Sequence, residues 1–142
     1  MLVPDVNPEA MSSSQDEFLV VISATAEDGR PIQGVGESDA NPWIMKQCVE
    51  TFGTHIVGLG IKQMLLGENA LEIERLWKKM YAGTYMNGRR GIVLHAMGAV
   101  EMALWDLKGK FHSMPLYPLR GTPDLSHERV QSQEWKAPVE FE

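Results

Sequence analysis

The chain has 142 residues, a formal net charge of −6 at neutral pH and a hydrophobic fraction of 44%. This length allows one domain with a hydrophobic core, but not a (β/α)8 barrel of about 250 residues. The acidic balance argues against binding to nucleic acid or to a membrane surface. A single cysteine, Cys48, excludes an intramolecular disulfide. The sequence shows no secretory signal pattern, and we therefore expect a cytoplasmic protein.

A β-hairpin is predicted near the start. Residues 1–17 contain prolines and a serine run and are expected to form an irregular lead-in. Apolar side chains then alternate over residues 18–26, which is typical of a strand. A turn at Gly29 leads to a second predicted strand over residues 31–37. Its glycines, Gly34 and Gly36, indicate a bulge or a place where another backbone comes close.

Two helices are predicted to follow the hairpin. The first has Asn41 as its N-cap and Pro42 at its first position, and it is expected to run to about Phe52. The second is expected over residues 69–81, where apolar residues recur at helical spacing. The segment between them, residues 55–66, contains glycines and is predicted to be a loop with at most a short turn.

A third helix is predicted over residues 92–111. It is apolar on most of its surface, which is typical of a central helix that packs on more than one side. Pro115 prevents its continuation, and Pro118 is expected to keep the following chain extended. The predicted fold class is α+β, with a two- to three-stranded antiparallel sheet followed by a three-helix bundle. Residues 122–142 are rich in charges and prolines, and we expect a tail or an interrupted element there.

The third helix and its exit also carry a motif. Its residues read Ala96-x-Gly98-Ala99-Val100-Glu101-x-Ala103-Leu104-x-Asp106-Leu107-x-Gly109-Lys110, then Pro115-Leu116 and Leu119-x-Gly121. Shorter matches precede it at Asp28-Gly29, Gly34-x-Gly36-Glu37, Leu66-Gly67-Glu68 and Ile73-Glu74-Arg75-Leu76-Trp77. In this order, the set resembles the N-terminal signature of the mandelate racemase/muconate lactonizing enzyme group of the enolase superfamily. The resemblance covers residues 18–121.

The resemblance implies a capping domain that closes over the mouth of a (β/α)8 barrel. The reaction of that family removes the proton α to a carboxylate, and Mg²⁺ stabilises the resulting enediolate. Its metal ligands and catalytic bases lie on barrel strands. The resemblance therefore implies that this chain holds no catalytic or metal-binding residue and is inactive alone. Its implied partners are the missing barrel domain and a sugar-acid substrate.

Two departures from the family pattern concern the ends. The family has a strand before Phe18, for which residues 1–17 are a poor substitute. After Leu119 the family enters its barrel, whereas this chain continues as Arg120-Gly121-Thr122-Pro123. We therefore expect a capping domain at residues 18–121, truncated at both ends, with residues 122–142 as a tail or a remnant of the approach to the barrel. The alternative is a stand-alone binding or dimerisation module derived from such a cap, which would self-associate through exposed apolar surface.

The segment from Tyr81 to Gly91 most resembles the acid-sugar dehydratase branch of the family. It supplies the candidate substrate-binding residues, which are Tyr85, Asn87, Arg89 and Arg90. A guanidinium can pair with a carboxylate through two parallel hydrogen bonds, so either arginine could reach an anionic substrate. The alternative is that the arginines form a solvated or interdomain pair.

Other reactive side chains are more simply structural. Cys48 is expected to be a small core residue, and His95 to be a hydrogen-bonded residue of the core or its boundary. Glu101 and Asp106 are five residues apart on one helix and do not share a face, which argues against a catalytic pair. Asp106 is expected to bond a neighbouring backbone or basic side chain.

Overall fold

The computed structural model describes residues 17–26, 28–51, 53, 59–88, 90–120 and 139–141. These residues form an α+β fold, as predicted. The strands are β1 (Phe18–Thr25), β2 (Pro31–Ser38) and β3 (Val139–Phe141). The helices are α1 (Pro42–Glu50), α2 (Ile61–Leu65), α3 (Ile73–Gly83), α4 (Ile92–His112) and α5 (Leu116–Leu119).

The sheet is antiparallel, with the order β2-β1-β3. The predicted hairpin is confirmed, and its register runs from Phe18 opposite Ser38 to Thr25 opposite Pro31. Gly29 lies in the turn with φ 81°, a conformation that glycine adopts without strain. β3 pairs with the other edge of β1 over Ile22 to Ala24.

The strand expected before Phe18 falls on residues 1–16, which lie outside the described residues. β3 lies within the predicted tail, and the spacing of apolar residues there did not indicate it. Most of residues 121–142 also lie outside the described part, so the boundaries 1–17, 18–121 and 122–142 stay predictions. No helix among the described residues is long and apolar enough to cross a bilayer. The cytoplasmic setting likewise stays a prediction.

Helix α4 packs against one face of the sheet. The buried face of β1 carries Val20, Ile22 and Ala24, while Leu19 on the opposite face is exposed. A broad buried stripe of α4 covers this face, and its members include Ala96, Ala99, Val100, Ala103, Leu104 and Leu107. The central position expected for the third helix is therefore confirmed.

The glycines of β2 explain how closely α4 approaches the sheet. A Cβ atom at Gly36 would lie 1.9 Å from the Ala99 carbonyl oxygen, and one at Gly34 would lie 2.0 Å from the Ala103 carbonyl oxygen. Both distances are far inside van der Waals contact. Of the two alternatives predicted from these glycines, a bulge or a close backbone approach, the structure shows the close approach.

Two charged side chains of α4 close the outer edge of β2. Asp106 accepts a hydrogen bond from the Val35 backbone N–H at 2.9 Å. Lys110 donates to the Gln33 carbonyl oxygen at 3.0 Å and to Asp106 at 2.7 Å. These side chains satisfy edge groups that a neighbouring strand would otherwise pair with. The backbone and basic partners expected for Asp106 are both present.

The first helix is shorter than predicted. Asn41 caps it as expected, because its side chain accepts hydrogen bonds from the Trp43 and Ile44 N–H groups. The helix ends at Glu50 rather than near Phe52, and Thr51 forms its C-cap. The Thr51 carbonyl oxygen then accepts from the Gly60 N–H at 2.8 Å, a contact between residues nine positions apart that the local sequence does not encode.

Two short helices differ from the sequence expectations. Part of the predicted loop 55–66 forms α2, whose residues Ile61, Met64 and Leu65 are buried, so tertiary burial stabilises a turn of weak local propensity. The exit after Pro115 forms the single turn α5 instead of an extended segment. Pro118 is compatible with this turn because the first N–H groups of a helix have no intrahelical partner.

An ion-pair cluster at the start of α3 gives a pH-dependent prediction. Hydrogen bonds from Lys79 and Arg75 hold the pKa of Glu68 below its ordinary value. Because the pKa is lower in the folded state, ionised Glu68 stabilises the fold fully at pH values above the pKa of the unfolded state. This stabilisation disappears as the pH falls through the pKa of the folded state. Because the groups are partly exposed, we expect Glu68→Gln to cost less than about 1 kcal/mol at neutral pH.

The cost of Glu68→Gln should shrink as the pH falls below about 4. Urea unfolding of the wild type and the variant at several pH values measures it. Glu37→Gln serves as the control, since Glu37 forms no ion pair within the described part of the chain. A pH-independent difference between the wild type and Glu68→Gln would contradict the assignment.

Candidate functional site

The loop between α3 and α4 is anchored at its first residue. Thr84 is only 3% exposed. Its hydroxyl donates to the Met80 carbonyl oxygen at 2.8 Å and lies 3.7 Å from the Met97 sulfur. The Asn87 N–H donates to the Thr84 carbonyl oxygen at 2.9 Å and closes a turn. Thr84 therefore fixes the position from which Tyr85, Met86 and Asn87 extend.

The far end of the loop depends on two glycines. Gly88 has φ 115° and Gly91 has φ 68°, and side chains larger than hydrogen strain both conformations. Gly91 is also the N-cap of α4. The loop between Thr84 and Gly91 thus has a defined backbone path on both sides of its arginine pair.

The candidate substrate-binding residues differ in their surroundings. Tyr85 is 55% exposed, and Arg90 is also exposed. Asn87 lies on the wall of a cleft. Arg89 lies outside the described residues. Within the described part of the chain, no ion pair includes Arg90.

The cleft beside Asn87 lies between α1, the chain just before α2 and the start of α4. Its volume is about 330 Å³, and its walls include Ile44, Gln47, Cys48, Thr84 and Ile92. The lining is mixed, with amide and hydroxyl groups among apolar side chains. Such a cleft is open to the polar groups of a small ligand or to a loop of another domain.

Cys48 lies in this cleft without the setting of a nucleophile. The side chain is partly buried and packs against the hydrophobic core, as predicted. Burial raises the pKa of the Cys48 thiol above its ordinary value, although a backbone hydrogen bond opposes this effect. A raised pKa disfavours the reactive thiolate. Cys48 is therefore a packing residue.

The remaining polar candidates on α4 have structural partners. The His95 Nδ1 atom lies 3.5 Å from the Ser38 hydroxyl and 3.9 Å from Asp39. Glu101 accepts a hydrogen bond from the Trp105 indole N–H at 3.3 Å. These contacts agree with the boundary role expected for His95. Neither residue is joined to Asp106, which bonds β2 and Lys110.

The described residues do not fit a Mg²⁺ site. Within them, no group of three or more His, Cys, Asp or Glu side chains is placed to hold a metal ion. We therefore assign no metal ligand and no metal-dependent step to them. What the described loop and cleft offer is an exposed cation, an exposed phenol and an amide, which can orient an anionic polyhydroxylated ligand.

Sequence reasoning missed several parts of this surface. Thr84 is a polar residue, but it is buried through contact with Met97 of α4, which the local sequence does not show. Ile44 and Trp43 are 51% and 75% exposed on α1. Large exposed apolar side chains at one end of a helix are the signal that could have identified this region as a contact surface.

The fold and its loop define an N-terminal domain of the enolase type. The sequence model of the mandelate racemase / muconate lactonizing enzyme N-terminal domain matches residues 2–121. The chain therefore belongs to this family, as the motif on α4 predicted. The match begins before β1 and ends just after α5.

Individual relatives agree with this membership. A provisionally named L-rhamnonate dehydratase of Caldivirga maquilingensis is 43% identical over 105 residues, which are 73% of this chain and 23% of that protein. A D-mannonate dehydratase of Caulobacter vibrioides is 37% identical over 102 residues, which are 72% of this chain and 23% of that protein. A solved structure of a provisionally named racemase superposes with a TM-score of 0.62 at 30% identity, covering 76% of this chain and 30% of that one. The chain thus spans about a quarter of the length of these curated relatives.

Proposed function

We propose that this chain is the capping part of an acid-sugar dehydratase, shapes the substrate site of a barrel domain and is inactive alone. The observation that carries the proposal is the family match over residues 2–121, together with relatives that act on sugar acids. Those relatives are about four times as long as the matched segment, so most of their length has no counterpart in it. In the complete enzyme, Mg²⁺ would supply charge stabilisation for the enediolate.

The cap contributes binding and closure in this proposal. Arg90 pairs with the substrate carboxylate, and Tyr85 and Asn87 bond hydroxyl groups of the sugar acid. Arg89 belongs to the same predicted set. Closure of the loop over the substrate excludes water and strengthens these contacts, because electrostatic interactions increase in a drier site. Thr84 and the two glycines hold the loop in place for this purpose.

The inactivity of the chain alone is tested directly. The purified 142-residue protein is incubated with Mg²⁺ and a panel of sugar acids that includes L-rhamnonate and D-mannonate, and the 2-keto product is assayed. We expect no turnover above the background without protein. Mg²⁺-dependent turnover by this chain would contradict the proposal.

A chimera tests the role of Arg90. Residues 18–120 replace the matching N-terminal segment of the Caulobacter vibrioides D-mannonate dehydratase, and kcat and KM are measured over the sugar-acid panel. We expect Arg90→Gln to raise KM at least about tenfold, because a hydrogen bond between charged groups is worth about 1.5–3 kcal/mol. The KM of Arg90→Lys should lie between those of the unsubstituted chimera and of Arg90→Gln, since lysine keeps the charge but loses the bidentate geometry.

Lys78→Gln is the matched control for this chimera. Lys78 is an exposed cation on α3, away from the loop, and its loss removes the same charge. We expect this variant to keep the KM of the parent chimera. An equal KM change in Arg90→Gln and Lys78→Gln would leave only a general charge effect and would reject substrate contact by Arg90.

Exposed apolar side chains favour a second candidate function, self-association as a binding or dimerisation module. Trp43 is 75% exposed and Met86 is 58% exposed. Sedimentation of the chain over a range of concentrations tests this function. A monomer at all concentrations rejects it, whereas a dimer that Trp43→Ser dissociates supports it.

A further inference from the structure

The short helix α5 buries little apolar surface. None of its residues is buried, and Tyr117 is 62% exposed. A helix of a single turn is not stable by itself. At its start, the Met114 N–H donates to the Gly109 carbonyl oxygen at 3.0 Å, which fixes the chain where it leaves α4. The end of α5 therefore depends on other contacts.

Trp105 of α4 provides such a contact. The guanidinium carbon of Arg120 lies 5.1 Å from the centroid of the Trp105 ring, and the Lys108 Nζ atom lies 5.3 Å from a Trp105 ring centroid. A cation within about 6 Å of an indole centroid is attracted by the negative charge on the face of the ring. Arg120 is the C-cap of α5. The ring therefore joins the end of α5 to α4.

The Trp105 ring is itself fixed in place. Its indole N–H donates to Glu101, one turn earlier on α4, at 3.3 Å. Lys108 also donates to the Leu71 carbonyl oxygen, just before α3, at 3.2 Å. Leu119 of α5 lines a cleft of about 480 Å³ together with Trp105 and Lys108. Trp105 and Lys108 thus form a platform that α4 and the chain before α3 hold in place.

No carboxylate pairs with Arg120 within the described part of the chain, and none pairs with Lys108 there. The Trp105 ring is therefore not in competition with an ion pair for Arg120. A contact between an exposed cation and an indole changes the ratio of attached to detached forms about two- to fivefold. Its loss should release the end of α5 without unfolding the domain.

We propose that Trp105 is a clamp for the chain as it leaves the domain. It binds Arg120 and thereby holds α5 at a fixed angle to α4, so that the residues after Arg120 depart in one direction. In the capping role proposed above, this direction determines how the cap meets the barrel domain. The clamp does not rest on that role, and its test measures no enzymatic activity.

Hydrogen exchange at the amide of residue 120, followed by NMR in the full chain, tests the clamp. In the wild type this N–H donates to the Leu116 carbonyl oxygen at 3.1 Å, so it reports whether the turn is closed. We expect Arg120→Gln to raise its exchange rate about two- to fivefold, after correction for the intrinsic rate of the new residue. The Met114 amide should keep its rate, because the backbone fixes the start of the turn. Residual dipolar couplings of the α5 amides should decrease, since the angle to α4 is no longer fixed.

A second variant identifies the ring as the partner of Arg120. Trp105→Leu removes the ring but keeps an apolar side chain, so it should raise the exchange rate by the same factor. If the two residues act as one clamp, Arg120→Gln will add nothing further in the Trp105→Leu background. Lys78→Gln is the matched control and should leave the rate unchanged. Lys78 lines the same cleft but is not among the cations at the ring within the described residues.

Unchanged exchange in Arg120→Gln would overturn the proposal. An equal rise in Lys78→Gln, or additive effects of Arg120→Gln and Trp105→Leu, would overturn it as well. If Trp105→Leu does not fold, Arg120→Lys gives the deciding measurement. Because lysine keeps the cation, the amide of residue 120 should exchange more slowly in Arg120→Lys than in Arg120→Gln. Equal rates in these two variants would reject the clamp.

Discussion

Gly36→Ala is expected to destabilise the domain by at least about 3 kcal/mol, since overpacking against atoms that cannot move lies at the upper end of such costs. The added Cβ would lie 1.9 Å from the Ala99 carbonyl oxygen and 2.7 Å from the Ala103 backbone nitrogen. Both atoms belong to the backbone of α4, so relief requires that the helix and the sheet separate. Urea unfolding followed by circular dichroism measures the loss.

Gly98→Ala is the matched control, because it makes the same chemical change on the helix that Gly36 contacts. A Cβ at Gly98 meets nothing within 4 Å. Alanine in a helix interior is favoured over glycine by about 0.5–1 kcal/mol, so Gly98→Ala should stabilise the domain. Both substitutions reduce the conformational entropy of the unfolded chain equally. The difference between their effects on the free energy of unfolding therefore reports the steric overlap with the backbone of α4. Equal effects of the two variants would show that α4 does not approach the sheet as described.

The same contacts explain why the fold was largely predictable from the sequence. Alternation of apolar residues identified β1, and the glycines at Gly34 and Gly36 indicated either a bulge or a close backbone approach. The nearly all-apolar surface of α4 identified it as central. These signals are local in sequence. The two-residue repeat of a strand and the 3.6-residue repeat of a helix follow from backbone geometry, and a glycine is visible in the sequence itself.

The parts that were not predicted depend on partners distant in sequence. Helix α2 exists because Ile61 and Leu65 are buried by other elements, and β3 pairs with a strand more than a hundred positions earlier in the chain. The same limit applies to the candidate site. The sequence predicts a candidate site in the loop containing Tyr85 and Asn87, whereas the cleft beside it is lined by α1, the chain just before α2 and the start of α4.

The structure shows what three residues of the family motif on α4 contact. Asp106 and Lys110, four residues apart on α4, reach the edge of β2 together. Gly109 lets the chain after α4 fold back, since a Cβ there would lie 3.1 Å from Leu116 and 3.2 Å from the Met114 carbonyl oxygen. These three residues of the family motif therefore build the domain.

Asp106→Ala should cost about 1.5–3 kcal/mol, the range for hydrogen bonds that involve a charged group. The substitution leaves the Val35 N–H without its acceptor and removes the ion pair with Lys110, whose N–O distance is 2.7 Å. The Val35 amide should also lose protection from hydrogen exchange. Urea unfolding and amide exchange of the same samples measure the two effects.

Lys110→Met and the double variant complete a thermodynamic cycle with Asp106→Ala. Lys110→Met should cost less, because the exposed carbonyl of Gln33 can bond water while Asp106 keeps its bond to Val35. If Asp106 acts only through Lys110, the double variant will be no less stable than either single variant. If Asp106 closes the β2 edge itself, Asp106→Ala will destabilise the Lys110→Met background too, and the freed edge will increase aggregation at high protein concentration.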